Sequence, residues 1–453
     1  MNKILLKNGT LILPETTVNK DILIRGETIS DIDTDLHSKP GTEVVDCAGK
    51  LIFPGILDPH THMGIPIKDG ISADNFETGT RSAIHGGVTT IIDFTILEED
   101  QTLFESVEKR LKLAEYSYSD YSLHCNITRF SKKLFNEIPK LIQSGIISFK
   151  VFTTYEEVGI MFTYEQIEEV AKIIAEHRGL LMVHAEDNRI IQNAFKPLIS
   201  RNLTEPLYHP LSRPDTAEAT AVERMVNISI QTGCPIYIVH LSSAKGLKWA
   251  QHQEKVFVET CPQYLLLDDR VYHQDDGRMF VTSPPHRKTE NIKALWQGII
   301  NGNIQTIGTD HCPFLISDKE VGIPFQNIPN GMGGVETLFP VMLAQFIQKG
   351  LDLSLLSRLL STNAAKLFGI YPRKGALIPN ADADLVVVDP HKVSTDWFND
   401  LVSVTDWNAF VQFPAIFPEH VFRRGDWLVK NGELSLSSRG IFLAGDALSS
   451  HHL

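Results

Sequence analysis

Eight short apolar runs, most of them separated by helical patterns, constrain the fold of this chain more than any other feature. They lie at about 51–57, 88–94, 120–127, 146–152, 179–184, 234–240, 255–261 and 304–309. Continuous apolar runs of this length suit strands covered on both faces, as in parallel sheets. Residues 75–85, 103–116, 164–176, 217–231 and 291–299 carry helical periodicity between them. The alternation predicts an α/β fold, a (β/α)8 barrel of the TIM type. The chain ends read differently. Residues 3–6, 10–13, 20–24 and 28–32 are strand-like and punctuated by Asn8-Gly9 and Arg25-Gly26; Asp384 to Pro390 and His420 to Leu428, then Asn431-Gly432, match them. With 453 residues, too many for one small core, the expected organisation has three parts. These are a small β-sandwich domain from 1–52 plus 376–440, the catalytic barrel over 53–375, and a tail at 441–453. From Ser435 the chain is rich in Ser and Gly and ends in His451-His452-Leu453, which reads as a loosely packed, solvated terminus.

In a barrel of this kind chemistry sits at the C-terminal ends of the strands. The first run leads into Asp58-Pro59-His60-Thr61-His62. Residues two apart on a strand share a face, so His60 and His62 can aim at one point. Two converging imidazoles suit a divalent metal of the zinc type, although such a pair can also be two surface histidines in a turn. The fourth run contains Lys150, the fifth closes on His184, the sixth on His240 and the eighth on Asp310. Singly each has a plain reading. A histidine closing an apolar run can be a satisfied structural residue, and an Asp after Gly-Thr can cap a helix. Lys150 differs, because an unpaired buried ammonium is costly. It could form a salt bridge, act as a Schiff-base nucleophile, or combine with carbon dioxide as a carbamate whose two oxygens bridge two cations. Four histidines, a lysine and an aspartate, all at strand ends, point to one shared site.

Composition narrows the partners. A net charge of -13 with scattered Lys and Arg disfavours nucleic acid and anionic membrane surfaces. The apolar stretch after Met1 is too short for a signal peptide, and no run approaches the ~18 uninterrupted apolar residues of a membrane span. Five dispersed cysteines without a Cys-x-x-Cys pair fit a reducing cytoplasm.

The strand-end pattern, His-x-His then Lys150, His184, His240 and Asp310, resembles the ligand set of the binuclear amidohydrolase superfamily. Ser72 to Thr80, Gly86-Gly87-Val88-Thr89-Thr90-Ile91-Ile92-Asp93-Phe94, Glu259-Thr260-Cys261-Pro262-Gln263-Tyr264-Leu265, Ser283-Pro284-Pro285 and Ile328-Pro329-Asn330-Gly331 resemble its dihydropyrimidinase/hydantoinase branch. The resemblance spans most of the chain, to about Pro390. It implies a hydrolase that opens a cyclic amide, a dihydropyrimidine or hydantoin, by attack of a hydroxide bridging two divalent metal ions. His60 and His62 would hold the more buried metal with Asp310. His184 and His240 would hold the second, and N6-carboxylated Lys150 would bridge both. Asp310 would serve as general base and then acid. Tyr155 would donate to the developing oxyanion, and backbone groups of Ser283 and Asn330 would hold the ring. A homotetramer or homodimer is also implied.

Dihydroorotase relatives place an arginine two residues past the second histidine, to grip a substrate carboxylate. Gly64 stands there, which argues for an uncharged ring. Thr153-Thr154 departs from the Met-Ala of many members, Thr309-Asp310-His311-Cys312-Pro313 is similar to other cyclic amidohydrolases, and 393–418 matches the pattern only faintly. The competing expectations are an allantoinase-like enzyme, a mononuclear deaminase, which has no use for Lys150, and a non-catalytic dihydropyrimidinase-related scaffold, which would have lost ligands.

Overall fold

The apolar runs close into a ring. In the computed structural model, which describes residues 3–67 and 70–448, eight strands form one parallel sheet in chain order. They are β1 (Ile56–Thr61), β2 (Val88–Phe94), β3 (Asp120–Asn126), β4 (Ser148–Phe152), β5 (Leu180–His184), β6 (Ile236–Ile238), β7 (Val256–Thr260) and β8 (Thr306–Ile307). The ring is completed just past β8, where Thr61 bridges in parallel to His311 and the His62 N–H donates to the His311 carbonyl. Every residue of β1 and β2 is buried, which is why these strands read as continuous apolar runs rather than alternating ones.

Helices Phe76–His85, Leu103–Ala114, Tyr164–Glu176, Asp215–Thr232 and Thr289–Ile300 stand where the periodicity predicts them. Asn75, Thr102 and Thr163 start three of them by accepting orphan backbone N–H groups, and Thr78, Glu105 and Gln166 reach back to complete capping boxes.

The run at 51–57 is not one strand. Leu51–Pro54 pairs with Lys3–Ile12 and Leu385–Val388, and the barrel begins only at Ile56. Gly55 marks the switch. Its N–H donates to the Asp384 carbonyl at 2.8 Å. A Cβ there would collide with the Thr89 hydroxyl and lie 2.8 Å from Asp384 Cβ, so the two layers leave no room for a side chain.

A separate mixed sheet gathers both chain ends. Its order is Glu433–Leu434, Asp426–Lys430, His420–Arg423, Leu385–Val388, Leu51–Pro54, Lys3–Ile12, Thr17–Arg25 and Thr28–Asp33, with Glu43–Asp46 also paired to Lys3–Ile12. Ile4, Leu6, Ile22, Ile24, Leu385 and Val387 form its core. An ionic cluster joins it to the barrel floor: buried Lys374 Nζ lies 2.6 Å from Asp120 Oδ2 at the start of β3, 2.8 Å from Asp384 and 3.1 Å from Asp382.

Two segments depart from the sequence reading. The tail is not loose as far as Leu448. The Tyr121 N–H donates to Ile441 O, the Leu443 N–H returns to Tyr121 O at 2.7 Å, and Leu443 and Leu448 are buried. Two well-spaced leucines suffice to anchor a stretch of small residues; His451, His452 and Leu453 lie outside the described residues. Residues 393–418, without a sequence reading, pack over loops of the barrel mouth. Trp397 Nε1 donates to Phe413 O and Trp407 Nε1 to Phe314 O, at 2.9 and 3.0 Å, and Trp397 and Phe410 share a cluster with Tyr272, Val281 and Met332. Among the described residues no helix is long and apolar enough to cross a membrane.

Candidate metal centre and substrate loops

The polar residues that close the barrel strands meet at one place. His60 on β1 and His62 just beyond it present Nε2 atoms 3.2 and 3.0 Å from the same oxygen, Asp310 Oδ1. One ligand atom from each of the three lies within 4.8 Å of the other two. His184 ends β5 and His240 follows β6, with Nδ1 of the first 3.1 Å from Nε2 of the second. The two groups adjoin, since the His60 and His240 ring centroids are 5.5 Å apart. Lys150 on β4 is 2% exposed, its Nζ lying 5.0 and 5.2 Å from the ring centroids of Phe94 and Phe152. Burial pulls its ammonium down to about 8, only partly offset by Asp310 and Glu259.

Three of the residues that line the site have backbones strained for non-glycine residues. Tyr155, His240 and Asp310 have φ of 71°, 40° and 53°. Such conformations cost on the order of 1–3 kcal/mol each and concentrate at functional sites. The donors fit divalent cations. Convergent imidazole nitrogens and a carboxylate are the ligands zinc-type metals take, and burial holds His184 and His240 below the usual histidine range, as neutral lone-pair donors. Burial would also raise Asp310, but the positive field of His60 and the hydrogen bonds from His60 and His62 outweigh it and keep the carboxyl well below its usual range, hence ionised.

Carboxylates behind the histidines orient them, a layer that sequence reasoning did not assign. Glu259, at the end of β7, accepts from His60 Nδ1 at 2.6 Å, from the His240 backbone N–H at 2.9 Å and from the Tyr237 hydroxyl at 2.9 Å. Burial alone would lower the His60 imidazolium, but Glu259 and Asp310 outweigh it and bring it to about 9. Glu186 pairs with His184 Nε2 at 2.8 Å and is gripped by Arg213 at 2.5 Å. Such carboxylate–histidine pairs fix ring orientation and raise ligand basicity. The signal for Glu186 was its place two residues past His184, on the same side of the chain. Glu259 carried no such signal, being 199 positions from His60.

The proposed substrate residues join the same mouth. The Tyr155 ring centroid is 5.1 Å from that of His184 and 5.0 Å from the Arg213 guanidinium carbon. Burial raises the Tyr155 phenol, leaving it a hydrogen-bond donor beside Ser283. Ser283 Oγ in turn donates to Asn330 Oδ1 at 3.0 Å. Gly64 has φ of 59° and supplies no charge; nearby Arg110 is engaged by Asp93 and the Met63 carbonyl. All nine residues expected from the sequence, His60, His62, Lys150, Tyr155, His184, His240, Ser283, Asp310 and Asn330, therefore surround one mouth.

Comparison with known proteins agrees with this geometry. Residues 51–411 match the amidohydrolase family model. D-phenylhydantoinase of Escherichia coli O1:K1 / APEC is 35% identical over 97% of this chain and 98% of that protein. The crystal structure of dihydropyrimidinase from Brevibacillus agri NCHU1002 superposes with a TM-score of 0.95 at 32% identity, covering 99% of both chains. L-hydantoinase (dihydropyrimidinase) from Arthrobacter aurescens gives 0.86 at 28% identity over 96% of this chain and 98% of that one.

Proposed function

Because the chain belongs to the amidohydrolase family, we propose that it is a cyclic amidohydrolase that opens a hydantoin or dihydropyrimidine ring. The observation that carries the reading is the assembly at one barrel mouth of two donor groups, His60/His62/Asp310 and His184/His240, with buried Lys150 on the strand between them. The similarity to D-phenylhydantoinase and dihydropyrimidinase supports the substrate class. His60, His62 and Asp310 would hold one zinc-type ion and His184 and His240 a second, with Lys150 as a carbamate between them. Two such cations supply an activated water and an electrophile for the amide carbonyl. The carbamate forms when the neutral Lys150 amine adds carbon dioxide and releases a proton, and burial keeps that neutral form accessible.

The protein's own groups do the rest. Asp310, ionised and fixed between two imidazoles, accepts a proton from the attacking water and returns it to the ring nitrogen as the C–N bond breaks. Tyr155 donates to the carbonyl oxygen as negative charge develops there. The Ser283 and Asn330 loops orient the ring. Arg213 and Arg110 are held by Glu186 and Asp93, which supports an uncharged substrate. The complete set of donors disfavours the scaffold reading. The resemblance supports a homotetramer or homodimer, and five buried free cysteines suit a reducing cytoplasm.

The test is an ultraviolet ring-opening assay of purified protein with dihydrouracil, hydantoin, both enantiomers of 5-phenylhydantoin, allantoin and dihydroorotate. Turnover of the neutral hydantoins or dihydrouracil is expected. Preferred turnover of dihydroorotate would overturn the uncharged-ring reading, and preferred turnover of allantoin would favour the allantoinase-like one.

A further inference from the structure

A second buried cation takes no part in the chemistry above. Lys319 belongs to a loop whose neighbours Ile316 and Val321 are 41% and 82% exposed, yet Lys319 itself is 0% exposed. Its Nζ donates to three main-chain carbonyls, Met279 O at 3.0 Å, Val281 O at 3.0 Å and Gly331 O at 2.8 Å. An ammonium has three N–H donors and no acceptor, so these carbonyls satisfy it fully without a carboxylate.

The carbonyls belong to two particular segments. Met279 and Val281 lead into Ser283, and Gly331 directly follows Asn330. The same segments meet again through the Gly331 N–H, which donates to Val281 O at 3.1 Å, and through Ser283 Oγ, which donates to Asn330 Oδ1 at 3.0 Å. Gly331 has φ of 145°, and a Cβ there would press on the Cys312 carbonyl and lie 2.9 Å from Cys312 Cβ. This junction therefore packs against Cys312, two residues past Asp310. Three carbonyl oxygens aimed at one point repel one another, and the Lys319 Nζ between them offsets that repulsion.

We propose that Lys319 is a positioning residue for substrate: its ammonium ties the Ser283 segment to the Asn330 segment, so that a cyclic amide finds both already in place. The inference rests on the reading of Ser283 and Asn330 as ring-holding residues. Pre-placed groups raise affinity by sparing the ordering of loops on binding, so the loss of Lys319 should act on substrate binding before chemistry.

The variants are Lys319→Met, which keeps length and removes every donor, and Lys319→Gln, which keeps two N–H groups. With hydantoin, Lys319→Met should raise KM about tenfold or more, leave kcat within about threefold, and retain the parent's metal content. Lys319→Gln should fall between. Without substrate, hydrogen exchange at 279–283 and 328–332 should quicken about tenfold in Lys319→Met. Unchanged KM with unchanged exchange would overturn the proposal, as would a lower kcat at the parent KM, or metal loss in step with the KM change. Should neither variant fold, the parent decides: the Gly331 amide must exchange slowly, and fast exchange there overturns the clamp. A parent that opens no ring would overturn the function reading, while the exchange comparison would still decide whether Lys319 holds the two segments.

Discussion

Replacing Glu259 by Gln separates charge from geometry at the metal centre. Glu259 Oε1 accepts from His60 Nδ1 at 2.6 Å and from the His240 N–H at 2.9 Å, and Oε2 accepts from the Tyr237 hydroxyl at 2.9 Å. A glutamine can keep its carbonyl oxygen on the first two donors and turn its NH2 toward Tyr237. The Tyr237 hydroxyl lies 2.6 Å from Thr306 Oγ1, so it can accept from the amide and donate to Thr306. No hydrogen bond is lost and the side-chain volume is kept; what disappears is the negative charge that makes His60 a more basic ligand. Loss of such an outer partner typically lowers metal affinity about 10–100-fold, or about 1.4–2.8 kcal/mol at about 1.4 kcal/mol per decade. Glu259→Leu strips all three donors of their acceptor and should lower affinity further and destabilise the barrel as well. The assay is zinc titration against a competing chelator with metal counted by mass spectrometry, alongside a thermal melt of the metal-free protein. Affinity of Glu259→Gln within about twofold of the parent, with an unchanged melt, would refute the idea that this charge tunes His60.

Other perturbations probe different parts of the molecule. Lys150→Ala should leave less than two metals per chain and abolish turnover; an active variant with full metal content would sink the bridging carbamate. Tyr155→Phe keeps the ring against His184 and Arg213 but removes the hydroxyl, so kcat should fall about 10²–10³-fold at constant metal content; a parallel loss of metal would assign Tyr155 to the centre's structure instead. Lys374→Met leaves Asp384 buried without its cation, while Asp120 keeps Arg424 at 3.1 Å and Asp382 keeps Arg373 at 3.0 Å. The expected destabilisation is at the lower end of about 3–5 kcal/mol, read from the urea midpoint, with hydantoin KM unchanged; an unmoved midpoint would refute the ionic clamp.

The strand-end residues were legible because a barrel turns position along a strand into position in space. Each apolar run had to end at the same rim, so a polar residue closing a run could be placed near the others without knowing any distance. That reasoning reached His60, His62, Lys150, His184, His240 and Asp310, and the resemblance extended it to Tyr155, Ser283 and Asn330. It also took 51–57 for one strand, since an apolar run does not show where it passes from one layer to another; the contact of Gly55 with Thr89 and Asp384 settles that. The tail misled for the converse reason. Small polar residues dominate its composition, and two buried leucines outweigh them.

By itself the sequence determined the barrel, the metal-type donor set and the absence of a cation after His62, because those follow from local periodicity, strand ends and residue identity. Only the tertiary structure decided which carboxylate backs which histidine, where the end sheet meets the barrel floor, and what a lysine in an exposed loop does. Glu259 and His60, Lys374 and Asp120, and Lys319 and Val281 are each far apart in the chain. No periodicity relates such pairs; the close packing of the folded chain brings them together, and burial then requires each charge or donor to find its partner.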